Sequence, residues 1–167
     1  MRFILLATIL GPIGALLVSR PIAAPPETVS LELIRYADLG NRIQATSGRV
    51  VVVDFWATYC LPCKKEFPRL VELHRKYAAK GMTALSVSLD DPTDEQAREK
   101  ASRFLTEKQA TFTNLLLDEK VAVWQTKLKI DGPPCVFVFN RNGRLVKRYH
   151  DDVDYDEIDH IVADLLK

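Results

Sequence analysis

VVVVDFWATYCLPCKKEFP, residues 50–68, decides how the rest of the chain is read. Four consecutive valines are too apolar for a half-exposed strand and fit one buried on both faces. The run ends after Asp54, Phe55 and Trp56, and two cysteines follow with two residues between them. An amphipathic pattern comes next. Phe67, Leu70, Val71, Tyr77 and Ala78 share one helical stripe, with Lys64, Lys65, Arg69 and Lys76 opposite. Cys60 is therefore expected where a buried strand passes into the first turn of a helix. Free backbone N–H groups and the positive end of the helix dipole favour a thiolate there. Such a cysteine is a nucleophile, and Cys63, one turn on, is placed to attack whatever Cys60 has bonded.

A Cys-x-x-Cys beside a strand–helix pattern reads as a redox motif, and DFWATYCLPCK resembles the active-site segment of thioredoxin. The resemblance matches Asp54 to the buried aspartate, Trp56 to the tryptophan before the motif, Pro62 to the proline inside it and Pro68 to the proline of the active-site helix. CLPCKKEFP, with Glu66, resembles the exported TlpA/ResA/CcmG-like branch more closely. Downstream, IDGPPCVFVFNRNG is similar to the family's Gly-x-Pro, strand and turn, which puts a cis-proline at Pro134. The likeness spans roughly residues 49–150. Three positions depart from it: Tyr59 replaces a second tryptophan, Leu61 a glycine, and Cys135 a threonine. The resemblance implies a thioredoxin-like α/β sandwich with a strand–helix insert. It also implies a monomer that needs no cofactor and exchanges disulfides with protein thiols, drawing electrons from an upstream donor.

Composition sets the outer limits. The chain of 167 residues has net charge +1 with 27% charged residues, a balance that points to no nucleic-acid partner. Three cysteines are too few for a disulfide scaffold and leave one beyond the reactive pair. Residues 1–24 read as an export signal: Arg2, an uncharged apolar run from Phe3 to Val18 broken by Gly11, Pro12 and Gly14, then Ile22-Ala23-Ala24 for cleavage. The rival is an uncleaved membrane anchor over residues 3–18. As a straight helix that run covers only about 24 Å of a ~30 Å hydrocarbon core. Residues 25–167 then form one exported domain, placed in the periplasm or an equivalent extracytoplasmic space.

Along that domain the pattern predicts a strand over 29–34 and a helix over 36–45, then the central strand and redox helix over 50–79. An alternating strand over 82–90 follows, with Leu85, Val87 and Leu89 against Ser86 and Ser88. A helix from Asp94 to Lys108 and a strand over 112–117 come next, then a helix capped by Asp118 that carries Val121, Trp124 and Leu128. A hairpin turns at Asn140–Gly143, and a last helix is capped by Asp154.

Each chemical candidate has a plain alternative. Asp54, set among valines and aromatics, is expected to hold its proton more tightly than usual and to serve Cys63 as base or proton relay, against a role as a strand-end hydrogen bonder. Glu66 tunes the cysteines or is a solvated helix carboxylate. Trp56, Tyr59, Leu61, Pro62, Pro133 and Pro134 are expected to meet the partner protein. An extended partner segment would add as a strand beside Pro133, which lacks an N–H and so offers half the pairing. Cys135 is either a packed small hydrophobe or a third redox thiol. His74 reads as structural. A zinc site needs four ligands in paired spacings, and the histidines show none. A copper-chaperone variant of the fold wants a longer cysteine spacing and a matching histidine. The peroxide-reducing pattern needs a threonine three residues before its cysteine, whereas Thr58 stands two before Cys60. The reading from a different class is a binding module that docks a partner without turnover.

Overall fold

The computed structural model describes residues 29–167, so the leader expected over 1–24 lies outside the described residues. The elements in order are β1 (Glu32–Ile34), α1 (Tyr36–Ala45), β2 (Val50–Trp56), α2 (Leu61–Tyr77, extended by a 3-10 turn at Ala78–Lys80), β3 (Met82–Ser88), α3 (Glu95–Glu107), β4 (Thr113–Leu117), α4 (Val121–Leu128), β5 (Cys135–Phe139), β6 (Leu145–His150) and α5 (Tyr155–Leu165). Among the described residues the strands form one six-stranded sheet in the order β1-β4-β3-β2-β5-β6. Its first four strands pair in parallel, and β5 and β6 join antiparallel, which makes the sheet mixed. The insert strand β4 lies inside the sheet, between β1 and β3.

The four valines sit at the centre because β2 is flanked on both edges and covered on both faces. Alternation sends Val51, Val53 and Phe55 to one face, where Leu39 of α1 and Trp124 and Leu128 of α4 pack. Val50 and Val52 point the other way, against Leu70, Leu73 and Tyr77 of α2 and Ile158 and Val162 of α5. At the carboxyl end of the strands a third cluster joins Trp56, Cys60, Cys63 and Phe67 to Ala101 and Leu105 of α3. The result is an α/β three-layer sandwich. No helix among the described residues is long and apolar enough to cross a membrane.

Several expectations are corrected by packing. β1 begins at Glu32 because it pairs only with Leu115–Leu117, and Val29 and Leu31 pack instead beside the cluster at the strand ends. Ser86 and Ser88 alternate in polarity but not in exposure, since β3 is covered on both faces. The Ser86 hydroxyl donates to Asn114 Oδ1 at 2.8 Å, which lets it be buried. Asp118 does not cap α4. Lys120 stands at that cap without a side-chain bond, while the Asp118 amide donates to the Ile34 carbonyl at 2.8 Å and its carboxylate faces Arg35 at 3.6 Å. Val121 points outward. Asp154 does cap α5, its Oδ1 accepting from the amides of Asp156 and Glu157 at 2.9 Å each. Gly81, at φ 104°, ends the turn after α2 in the left-handed region, where Cβ-bearing residues are strained.

Candidate active site

Cys60 is the N-cap of α2, with extended backbone, and its Sγ accepts the Cys63 amide at 3.2 Å. One of the orphan donors of the first helical turn therefore points at the sulfur, and the helix dipole adds to it. Cys60 and Cys63 are joined by a disulfide with Cα atoms 5.3 Å apart. Both sulfurs are shielded, Cys60 at 7% exposure and Cys63 at 3%. Tyr59 and Leu61 on either side of Cys60 are 65% and 72% exposed and form the apolar surface around the disulfide. Pro62 is exposed beside them.

Behind the pair lies a cleft of about 190 Å³ whose lining includes Asp54, Cys63, Glu66, Pro134, Asp152 and Tyr155. It touches Cys63 and not Cys60. Asp54 projects from β2 with Val50 and Val52, towards α2 and α5, and is buried. Burial pushes its carboxyl up to about 7, and the hydrogen bond from the Tyr155 hydroxyl to Oδ2, 2.8 Å long, works against that rise. A carboxyl in this range takes up and gives back a proton near neutral pH. Glu66 is half-buried on the cleft wall.

The Pro133–Pro134 peptide bond is cis, and Pro134 lines the cleft while its carbonyl accepts the Asp151 amide at 3.1 Å. Pro133 is half-buried next to it, at the mouth of β5.

Two of the expected roles do not survive the geometry. Trp56 is fully buried, its ring 5.3 Å from Phe67 and 4.9 Å from Phe104, so it supports the floor of the site and cannot touch a docked partner. Cys135 cannot act as a third redox thiol. It pairs with Phe55 and joins the cluster under α1 and α4, on the sheet face opposite Asp54. Its thiol donates to the Tyr149 carbonyl at 2.9 Å, and burial pushes it up to about 12, where the thiolate is scarce.

Sequence reasoning missed two residues. Tyr155 reaches Asp54 from 101 positions away, and nothing local marks it. Asp90 is buried beyond β3 and accepts the Thr58 amide and hydroxyl, anchoring the turn that leads to Cys60. Its only signal was an acidic residue ending an alternating strand. Among the described residues, no group of three or more His, Cys, Asp or Glu is arranged to hold a metal.

Known proteins resemble the chain over most of this structure. The model of the AhpC/TSA family matches residues 32–148. A thiol-disulfide oxidoreductase ResA from Oceanobacillus iheyensis is 26% identical over 139 residues, covering 83% of this chain and 65% of that protein. A thiol:disulfide interchange protein DsbE homolog from Paracoccus denitrificans is 30% identical over 142 residues, covering 81% of this chain and 73% of the relative. The chain thus spans about two thirds to three quarters of the length of these two relatives. Among solved structures, the thioredoxin domain of a thiol-disulfide oxidoreductase from Bacteroides vulgatus superposes with a TM-score of 0.63 at 25% identity, covering 76% of this chain and 84% of that one.

Proposed function

The chain belongs to the AhpC/TSA family, of thioredoxin-like fold, and from that premise we propose that it is an exported thiol:disulfide oxidoreductase working as a reductant. The observation that carries the reading is the Cys60–Cys63 disulfide at the start of α2, with a buried carboxyl poised near neutrality behind its inner sulfur. The relatives' names support the same reaction class.

In the reduced protein the Cys60 thiolate attacks one sulfur of a partner disulfide. A Cys60–partner bond forms, the partner's S–S bond breaks, and the leaving partner thiolate takes a proton from solvent. Asp54 then accepts the Cys63 proton, and the Cys63 thiolate attacks the Cys60 sulfur. The Cys60–Cys63 bond forms and the second partner thiolate leaves. Two electrons have passed to the partner, and an upstream dithiol donor restores the pair. Tyr59, Leu61, Pro62 and the Pro133–Pro134 edge form the docking face, where Pro133 supplies a carbonyl but no N–H to an extended segment. Leu61-Pro62 puts no cation between the cysteines to hold the thiolate, which favours the reducing direction.

Peroxide reduction is the less favoured chemistry. Thr58 stands two residues before Cys60 and commits its hydroxyl to Asp90 at 2.7 Å. Export rests on the basic start and apolar run of residues 1–24, and the mass of the mature chain tests cleavage. Dithiothreitol-driven insulin reduction tests the activity. The wild type should accelerate precipitation and Cys60→Ser should not. Equal, background rates for both would leave a binding module.

A further inference from the structure

Asp90 takes no part in the exchange steps, yet it is the carboxylate tied most closely to the turn that presents Cys60. It is 3% exposed, and its two oxygens accept from the Thr58 amide, the Thr58 hydroxyl and the Ser88 hydroxyl. The Thr58 amide lies 3.1 Å from Oδ1 and 3.0 Å from Oδ2, the Thr58 hydroxyl donates to Oδ1 at 2.7 Å, and the Ser88 hydroxyl donates to Oδ2 at 2.7 Å. Such a ring suits an acceptor-only anion. Among the described residues no Lys, Arg or His forms an ion pair with it. Two further bonds fix this region, one between the exits of β2 and β3 and one within the turn. Leu89 N–H reaches the Trp56 carbonyl at 2.8 Å, and Cys60 N–H closes the turn on the Ala57 carbonyl at 3.0 Å.

We propose that Asp90 is a positioning residue of the redox pair: it anchors the Ala57–Cys60 turn and places an unpaired buried negative charge beneath it. That charge opposes the dipole of α2, holds back the Cys60 thiolate and shifts the couple towards the reducing side. Its reach is visible next door, where burial first and the Asp90 charge second raise the Tyr59 hydroxyl above its ordinary value. The other charges around the turn are Lys64, Lys100, Arg103 and Glu107, which share a cleft with Thr58, and Asp54, Glu66, Asp151 and Asp152 on the Cys63 side. All of them stay in place when Asp90 alone is changed. The proposal rests on Cys60 being the attacking thiol.

Two variants of the reduced protein separate charge from anchoring. Asp90→Asn removes the charge while its amide oxygen still accepts from Thr58 and its amino group can donate to Ser88. Thr58→Val keeps the anion, now short of one donor. The readout is the rate of iodoacetamide modification of Cys60 between pH 5 and 9, resolved by peptide mass spectrometry, with the redox equilibrium against glutathione beside it. Asp90→Asn should move the Cys60 profile down by about half a pH unit, a roughly threefold faster reaction below the midpoint, and make the couple less reducing. Thr58→Val should slow the reaction about twofold. Acceleration by both variants would mean a loosened turn and would overturn the charge role, as would an unmoved Asp90→Asn. Should Asp90→Asn fail to fold, Thr58→Val decides alone: slower modification supports the proposal, unchanged or faster modification overturns it. If wild-type Cys63 and not Cys60 is the thiol modified, the assignment of the attacking cysteine fails. If Cys60 reacts and neither variant moves it, only the role of Asp90 does.

Discussion

Replacing Asp54 with asparagine sets stability against function, and the conflict can be sized from the structure. The Asp54 carboxyl is buried, and burial lifts it from 3.8 to about 7 in the fold. Between those values the folded protein binds a proton that the unfolded chain has released, so stability falls as pH rises through this window. The contribution is fully present below about pH 3.8 and lost above about pH 7. From pH 5 to pH 8 the wild type crosses about two units of it, on the order of 2–3 kcal/mol. Asp54→Asn keeps the shape and an acceptor for the Tyr155 hydroxyl, and does not titrate. Its stability relative to wild type should therefore improve by about 2–3 kcal/mol between pH 5 and pH 8, whatever fixed offset the buried amide adds. Urea midpoints of both reduced proteins at the two pH values measure this difference. The same variant should slow release of the mixed disulfide, since Cys63 loses its proton acceptor, while attack by Cys60 changes little. A stability difference that does not vary with pH, together with normal release, would refute the reasoning and leave Asp54 a structural hydrogen bonder.

Tyr155→Phe removes the bond that opposes the rise at Asp54, so the pH midpoint of mixed-disulfide release should move up, at a cost in stability of about 1–3 kcal/mol; stopped-flow release rates against pH read the shift. Cys135 should resist iodoacetamide in the native reduced protein, reacting at least ~100-fold more slowly than Cys60 and becoming reactive in denaturant, because its thiol is buried on the far face of the sheet. Asp154→Ala should lower stability by ~1 kcal/mol through loss of the two N-cap bonds of α5, measured as a urea midpoint shift at constant slope.

The site was legible where its chemistry is local. A buried strand, a two-residue cysteine spacing and an amphipathic run lie within one stretch, so their order in the chain is their order in space, and Cys60 at the N-cap of α2 follows directly. The β5–β6 hairpin and the Asp154 cap are equally local. What failed depends on neighbours distant in sequence. Ser86 and Ser88 look like a polar face until β3 is flanked by β2 and β4 and α2 packs over it. Asp118 looks like a cap until β1 claims its amide. Trp56 beside an exposed motif looks like part of the docking surface, but Phe67 and Phe104 enclose it. Tyr155 and Asp90 become partners of the site only when α5 and β3 are placed against β2.

Partner trapping is the most direct test of disulfide exchange through Cys60. Reduced Cys63→Ser and Cys60→Ser proteins, each exposed to an extracytoplasmic extract and resolved without reductant, should differ sharply. Cys63→Ser should accumulate mixed disulfides that map to Cys60 by mass spectrometry, since the resolving thiol is gone, and Cys60→Ser should accumulate none. Adducts on Cys63 in the Cys60→Ser protein, with none on Cys60 in the other, would contradict the account.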